Sequence, residues 1–154
     1  MEGAIKEAIH AFKYRNIRSA APELGQLLAQ HLKSHPMPGE VLAPVPLHPR
    51  RLRSRGYNQA TLLARELGKR YGLPVNERLL ARTQNTPPQV QTSSREERHH
   101  NMAGSFECIS KAGGLTVILV DDVTTTGSTL SACAAALKEG GAASVWGLAL
   151  AKEG

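Results

Sequence analysis

The chain has 154 residues, 41% hydrophobic and 21% charged, which suits one soluble domain large enough to enclose its own core. A count of 19 Lys and Arg against 13 Asp and Glu leaves a formal net charge of +6 at pH 7, a balance that attracts polyphosphate ligands and nucleic acid alike. No apolar run approaches the ~20 residues of a membrane span, no signal peptide opens the chain, and the two cysteines fall outside any Cys-x-x-Cys pair, which argues against a disulfide framework and a zinc site; the cytoplasm is the expected location.

The predicted elements begin with an amphipathic helix over 1–14 that puts Ile5, Ile9 and Phe12 on one face and leaves Lys6 and Lys13 off it. A second helix runs from Ala20 to Leu32 on a stripe of Leu24, Leu27, Leu28 and Leu32, and Pro36 and Pro38 break the chain after it. Val41 to Val45 is a short strand. The segment PLHPRRLRSRGY, from Pro46 to Tyr57, reads as a strand-to-helix loop carrying Arg50, Arg51, Arg53 and Arg55. Asn58 to Tyr71 is helical, with Leu62, Leu63 and Leu67 inward and Gly72 closing it. Leu79 to Arg82 is another short strand. From Thr83 to Gly104 the chain is polar, without a period beyond one helical turn around Arg95 to Arg98; such length in a compact domain points to function or disorder.

The stretch VILVDDVTTTGSTL, residues 117–130, follows. Val117, Ile118, Leu119 and Val120 suit a strand buried on both faces, as in a parallel sheet. Asp121 and Asp122 sit where that strand meets its loop. Thr125, Thr126, Gly127, Ser128 and Thr129 then turn into a helix whose apolar positions are Leu130, Cys133, Ala134 and Leu137. Ser144 to Ala151, preceded by Gly140 and Gly141, is the last strand. Cys133 reads as core, and Cys108 has no assignment. Alternating strands and helices imply right-handed βαβ units, an α/β fold with a parallel central sheet flanked by helices. The expected organisation is a single domain: N-terminal helices over 1–35, a ligand-binding core over 36–154, and a lid loop over 83–104.

A hydroxyl-rich turn at a helix N-terminus offers O–H donors, free N–H groups and the positive end of a helix dipole to one small volume, which is a phosphate site. Paired carboxylates beside it would repel that anion, so they suit sugar hydroxyls or the water shell of a metal on the same ligand. The structural alternative is a buried strand followed by an ordinary Thr cap. Neither a Walker loop nor a Rossmann fingerprint is present. In a parallel sheet the loops after strands share one edge, so the arginine loop faces the same crevice, where guanidinium forks pair with phosphate. His48 either touches phosphate or bonds locally, and the pair His99 and His100 has no third ligand at metal spacing.

The strand, the acid pair and the Thr-Gly-Ser-Thr turn resemble the signature of type I phosphoribosyltransferases. Together with PVPLHPRRLRSRGYNQATLLARELG and RTQNTPPQVQTSSREERHHNMAGSF, they are similar to the ComF/GntX family of phosphoribosyltransferase-like proteins. The resemblance runs from about Phe12 to the end. It implies the type I phosphoribosyltransferase fold and a site for phosphoribosyl pyrophosphate (PRPP). Asp121 and Asp122 would then bind the ribose hydroxyls, and Thr125, Thr126, Gly127, Ser128 and Thr129 the 5-phosphate. Arg50, Arg51 and Arg55 would take pyrophosphate. Asn58, Gln59, Arg82, Thr83, Gln89, Arg95, Arg98, Asn101 and Phe106 match the segments that flank the PRPP site. Thr124 departs from the aliphatic residue usual there. Thr125 stands where purine-salvage members carry an acid, which counts against purine salvage.

The implied reaction transfers phosphoribosyl to an unidentified nitrogen acceptor with release of pyrophosphate. Mg²⁺ would be held by PRPP, waters and Asp121 and Asp122. No catalytic side chain is assigned; Arg95 and Arg98, delivered by the lid, are the candidates. The second reading is a competence-type DNA-uptake accessory that binds single-stranded DNA or competence proteins and keeps the PRPP pocket for regulation. The 4% aromatic content offers few stacking platforms for that reading. Many relatives begin with a cysteine-rich zinc ribbon, and this chain starts just beyond where it would end. Related folds often form homodimers, which is a further expectation.

Overall fold

A computed structural model of the chain describes residues 17–84, 104–124 and 126–152. After a 3-10 turn at Ile17–Ala20, helix α1 covers Ala21–Ser34, with Pro22 in its first turn, where a missing N–H costs nothing. Strand β1 is Val41–Pro44, and α2 is Pro49–Arg55. Helix α3, Gln59–Tyr71, begins where the Asn58 side chain accepts from the Ala60 N–H and ends at Gly72, whose φ of 82° is the left-handed cap that glycine adopts freely. The remaining elements are β2 (Leu80–Arg82), β3 (Phe106–Cys108), β4 (Thr116–Thr124), α4 (Ser128–Glu139) and β5 (Ser144–Lys152).

Strands β1, β4 and β5 form a parallel sheet in the order β1-β4-β5, with Val41 opposite Val117 and Ile118 opposite Trp146. Residues 74–76 run along the outer side of β1: the Leu42 N–H donates to the Pro74 carbonyl and the Asn76 N–H to the Leu42 carbonyl, both at 2.9 Å. Alternation along the strands sends successive side chains to opposite faces. Val41, Ala43, Val117 and Leu119 pack on one face against Cys133, Ala136 and Leu137 of α4. Leu42, Ile118, Val120 and Leu148 pack on the other against Leu24, Leu28 and Leu32 of α1 and Leu63 and Leu67 of α3. Both faces are covered, as the unbroken apolar run 117–120 requires.

Three elements differ from the sequence reading. The arginine segment is the seven-residue helix α2 and not a loop: Pro49 starts it, the His48 ring nitrogen accepts from the Arg50 N–H at 3.1 Å, and Gly56 closes it at φ 90°. Strand β4 continues through Asp121 and Asp122 to Thr124, because β5 supplies register partners as far as Lys152. Strand β2 leaves the parallel sheet and pairs antiparallel with β3, which the sequence reading did not contain. That ribbon closes the polar segment at its base: the Thr83 N–H donates to the Ser105 carbonyl at 2.8 Å and the Thr83 hydroxyl to the same oxygen at 3.1 Å. The proposed lid interior, with Gln89, Arg95, Arg98, His99, His100 and Asn101, lies outside the described residues.

Candidate functional site

The C-terminal ends of parallel strands share one edge of the sheet, and the chain gathers its polar chemistry there. Beyond β1, Asn58 ties the start of α3 back to the sheet: its Nδ2 donates to the Val45 carbonyl at 3.0 Å while its Oδ1 caps α3. This holds α2 over the edge where β4 delivers its acids. The result is a cavity of about 680 Å³, bounded by Arg51 and Arg55 of α2, Arg82 of β2, Asp121 and Asp122 of β4, and Thr129 of α4. Its size falls within the range of small-molecule sites.

The carboxyl of Asp121 is held well above the usual range. Burial is the main cause, the neighbouring Asp122 charge and hydrogen bonding add to it, and the Asp122 N–H, which donates to Asp121 Oδ1 at 2.9 Å, opposes them, as does the Arg82 charge. A like-charge pair in a half-buried setting is satisfied by hydroxyl donors or a cation. Arg82 is half-buried, its guanidinium 5.4 Å over the Phe106 ring. Burial and then Arg51 lower its pKa while Asp121 acts the other way, and it stays a cation. The His48 pKa is lowered by desolvation and then by the charges of Arg50, Arg82, Arg53 and Arg51, and its Nδ1 accepts from the Arg50 N–H at the start of α2. Arg55 Nη1 donates to Gln59 Oε1 at 2.9 Å, steadying the α2 to α3 junction.

The sequence-assigned residues divide. Arg51, Arg55, Asp121, Asp122 and Thr129 line one cavity; Arg50 is exposed outside it. Helix α4 begins at Ser128, because Gly127, at φ 80°, turns the chain. The Thr126 and Ser128 hydroxyls are 2.5 Å apart, and the Ser128 N–H donates to Thr126 Oγ1 at 3.3 Å, so these residues form the turn beneath Thr129. Thr125 lies outside the described residues. Arg82, matched by resemblance and given no role, is a principal wall. Its signal was weak, because a lone Arg after LLA does not disclose that β2 turns away from the sheet and toward Asp121. Among the described residues no cluster of three or more His, Cys, Asp and Glu forms a metal site, and no helix is long and apolar enough to cross a membrane.

Comparisons with known proteins point the same way. Residues 52–152 match the model of the phosphoribosyl transferase domain. The chain is similar to DNA utilization protein YhgH of Salmonella typhi, 33% identical over 143 residues, covering 89% of this chain and 62% of that protein. It is 37% identical over 117 residues to Competence protein F of Haemophilus influenzae, covering 73% of this chain and 51% of that one. The chain therefore spans less than two thirds of the length of these relatives. Among solved structures, glutamine PRPP amidotransferase from B. subtilis aligns with a TM-score of 0.58 at 20% identity, over 86% of this chain and 26% of that one, a likeness of fold alone. Because the matched span contains Arg55, Arg82, Asp121, Asp122 and Thr129, the likeness falls on the elements that build the cavity, and the chain belongs to the phosphoribosyl transferase domain family, on its ComF branch.

Proposed function

We propose that the protein binds PRPP in the cavity between α2 and the end of β4 and transfers its phosphoribosyl group to a nitrogen acceptor. The observation that carries this reading is that one cavity gathers both kinds of charge, with Arg51, Arg55 and Arg82 lining it together with Asp121 and Asp122. The carboxylates accept from the ribose hydroxyls, and Thr129 with the α4 N-terminus receives the 5-phosphate. The guanidinium groups take pyrophosphate. In the reaction the acceptor nitrogen forms a bond to the anomeric carbon, the carbon–oxygen bond to pyrophosphate breaks, and its electron pair leaves with that oxygen. The cations stabilise the charge that develops there, and no protein nucleophile is needed.

Mg²⁺ fits these residues as a substrate-borne ion. Two adjacent carboxylates without a third ligand among the described residues suit a hard cation held chiefly by pyrophosphate oxygens and water. When bound, it would supply charge neutralisation on the leaving group, with Asp121 and Asp122 as the nearest protein oxygens. The test is calorimetric titration with PRPP with and without Mg²⁺. Metal-dependent micromolar binding, about 8 kcal/mol, supports the reading, and no binding refutes it.

A second reading is favoured by one observation. Arg50 and Arg53 are exposed on α2 and do not line the cavity, so they offer positive charge to a long phosphate backbone. With relatives named for DNA utilization and competence, this supports a DNA-uptake accessory that binds single-stranded DNA and keeps the PRPP site for regulation. Oligonucleotide binding that weakens steeply with salt, without PRPP turnover, would favour it. Homodimer formation, proposed from fold likeness alone, is tested by light scattering.

A further inference from the structure

Helix α2 carries one large apolar side chain, Leu52, and leaves it 42% exposed; none of the seven residues of the helix is buried. Successive helical residues turn by about 100°, so Arg51 and Arg55 share a face, Leu52 stands about 60° round from Arg55, and Arg50 and Arg53 lie on the far side. Leu52 thereby lines a second cavity, of about 570 Å³, whose apolar lining includes Pro44, Leu62, Leu80 and Ala81. The two cavities meet along Leu47, Tyr57, Asn58 and Arg82, which line both. Leu52 is also tied to both ends of its helix: its N–H donates to the His48 carbonyl at 3.0 Å, and its carbonyl accepts from the Gly56 N–H at 2.7 Å. A displacement of α2 therefore carries Leu52 and the arginines together. Without an anion the arginines resist closer packing, since the Arg51 charge acts against that of Arg82. An anion held among Arg51, Arg55 and Arg82 removes that resistance.

We infer that Leu52 is a positioning residue for the pyrophosphate end of the ligand: when the anion draws α2 toward Arg82, Leu52 packs against Leu62 and Leu80 and holds Arg51 and Arg55 in place. The inference rests on the PRPP reading and adds the apolar half of the clamp. Leu52 touches no part of the ligand. It acts through the helix that bears the arginines, because apolar surface that is wet in the free protein leaves water only in the complex, and that burial adds to affinity. An exposed leucine on a short helix of arginines thus has a use that neither charge nor fold stability gives it.

The test is calorimetric titration of the full chain with Mg-PRPP and with ribose 5-phosphate at several temperatures, on the wild type, Leu52→Ala and Leu52→Met. Alanine is the best helix former, so it removes the side chain and keeps α2; methionine keeps the apolar bulk. Leu52→Ala is expected to bind Mg-PRPP about five-fold more weakly, the loss of one partly buried leucine. Its heat-capacity change of binding should be less negative than that of the wild type, because less apolar surface leaves water. Leu52→Met should stay within about two-fold of the wild type. Ribose 5-phosphate affinity and the urea midpoint of the free protein should not change in either variant. Mg-PRPP affinity or a heat-capacity change in Leu52→Ala equal to the wild type would overturn the inference. So would an equal loss for ribose 5-phosphate, or a lower midpoint of the free protein, since either marks a general structural role. Those results leave the PRPP reading standing. Absence of Mg-PRPP binding in the wild type overturns that reading and the role of Leu52 with it.

Discussion

Arg82 and Asp121 stand on strands of different sheets yet line the same cavity, and each acts on the titration of the other. Arg82 belongs to the antiparallel ribbon that bears both ends of the polar segment; Asp121 belongs to the central strand of the parallel sheet. The charged cavity is thus linked electrostatically to the β2–β3 ribbon. Arg82→Met should weaken Mg-PRPP binding at least ten-fold, about 1.4 kcal/mol, and raise the Asp121 pKa further by removing a favourable cation. Arg82→Lys should recover part of the affinity. Calorimetry and a carboxyl NMR titration would check both.

Asp121→Asn should stabilise the protein at pH 7 while weakening ribose binding. The folded-state pKa of Asp121 lies above its unfolded value, so its ionised form costs folding free energy at pH above both values, and this cost fades as pH falls toward the unfolded value. The gain should be present at pH 7 and disappear near pH 4. Urea unfolding of both proteins at several pH values would read it. A gain equal at pH 4 and pH 7 would refute the electrostatic account.

The arginines of α2 should separate by the cavity they face. Arg51→Ala with Arg55→Ala should reduce pyrophosphate affinity by at least ten-fold and spare ribose 5-phosphate. Arg50→Ala with Arg53→Ala should leave both unchanged within about two-fold and flatten the salt dependence of any oligonucleotide binding, each lost phosphate contact lowering the slope by about 0.7 for a single strand.

Asn58→Ala removes the α3 cap and the bond to the Val45 carbonyl together. The expected loss is about 1–3 kcal/mol in chemical denaturation. PRPP affinity should fall as well, because Asn58 holds the α2 junction over the cavity. An unchanged midpoint would mean that neither bond contributes.

Gly25→Ala should destabilise by about 1–3 kcal/mol, measured as a lower unfolding midpoint with unchanged cavity chemistry. Helices α1 and α3 approach so closely there that an added Cβ would meet the Cβ and backbone of Glu66.

Legibility followed the range of the interactions involved. The bounds of α3 were visible because Asn58 and Gly72 cap it through neighbours a few residues away. The run Val117 to Val120 announced a strand covered on both faces, and Asp121 and Asp122 marked the strand end that lines the cavity. Helix α2 was not visible: Leu52 is its one large apolar residue, and a segment rich in Pro and Arg has the composition of a loop. Strand β3 was hidden because Phe106 to Cys108 is too short to show alternation and exists through pairing with β2, far away in sequence.

By itself the sequence determined the α/β class, the strand that carries the acids, and the types of side chain that follow it, because hydrophobic period, capping and residue chemistry are local properties. Only the tertiary structure decided which arginines line the cavity. Arg51 and Arg55 face the cavity by their angular position on a short helix, and Arg82 arrives by the pairing of β2 with β3. Both depend on contacts between segments distant in the chain, and residue order alone does not encode the direction in which a side chain finally points.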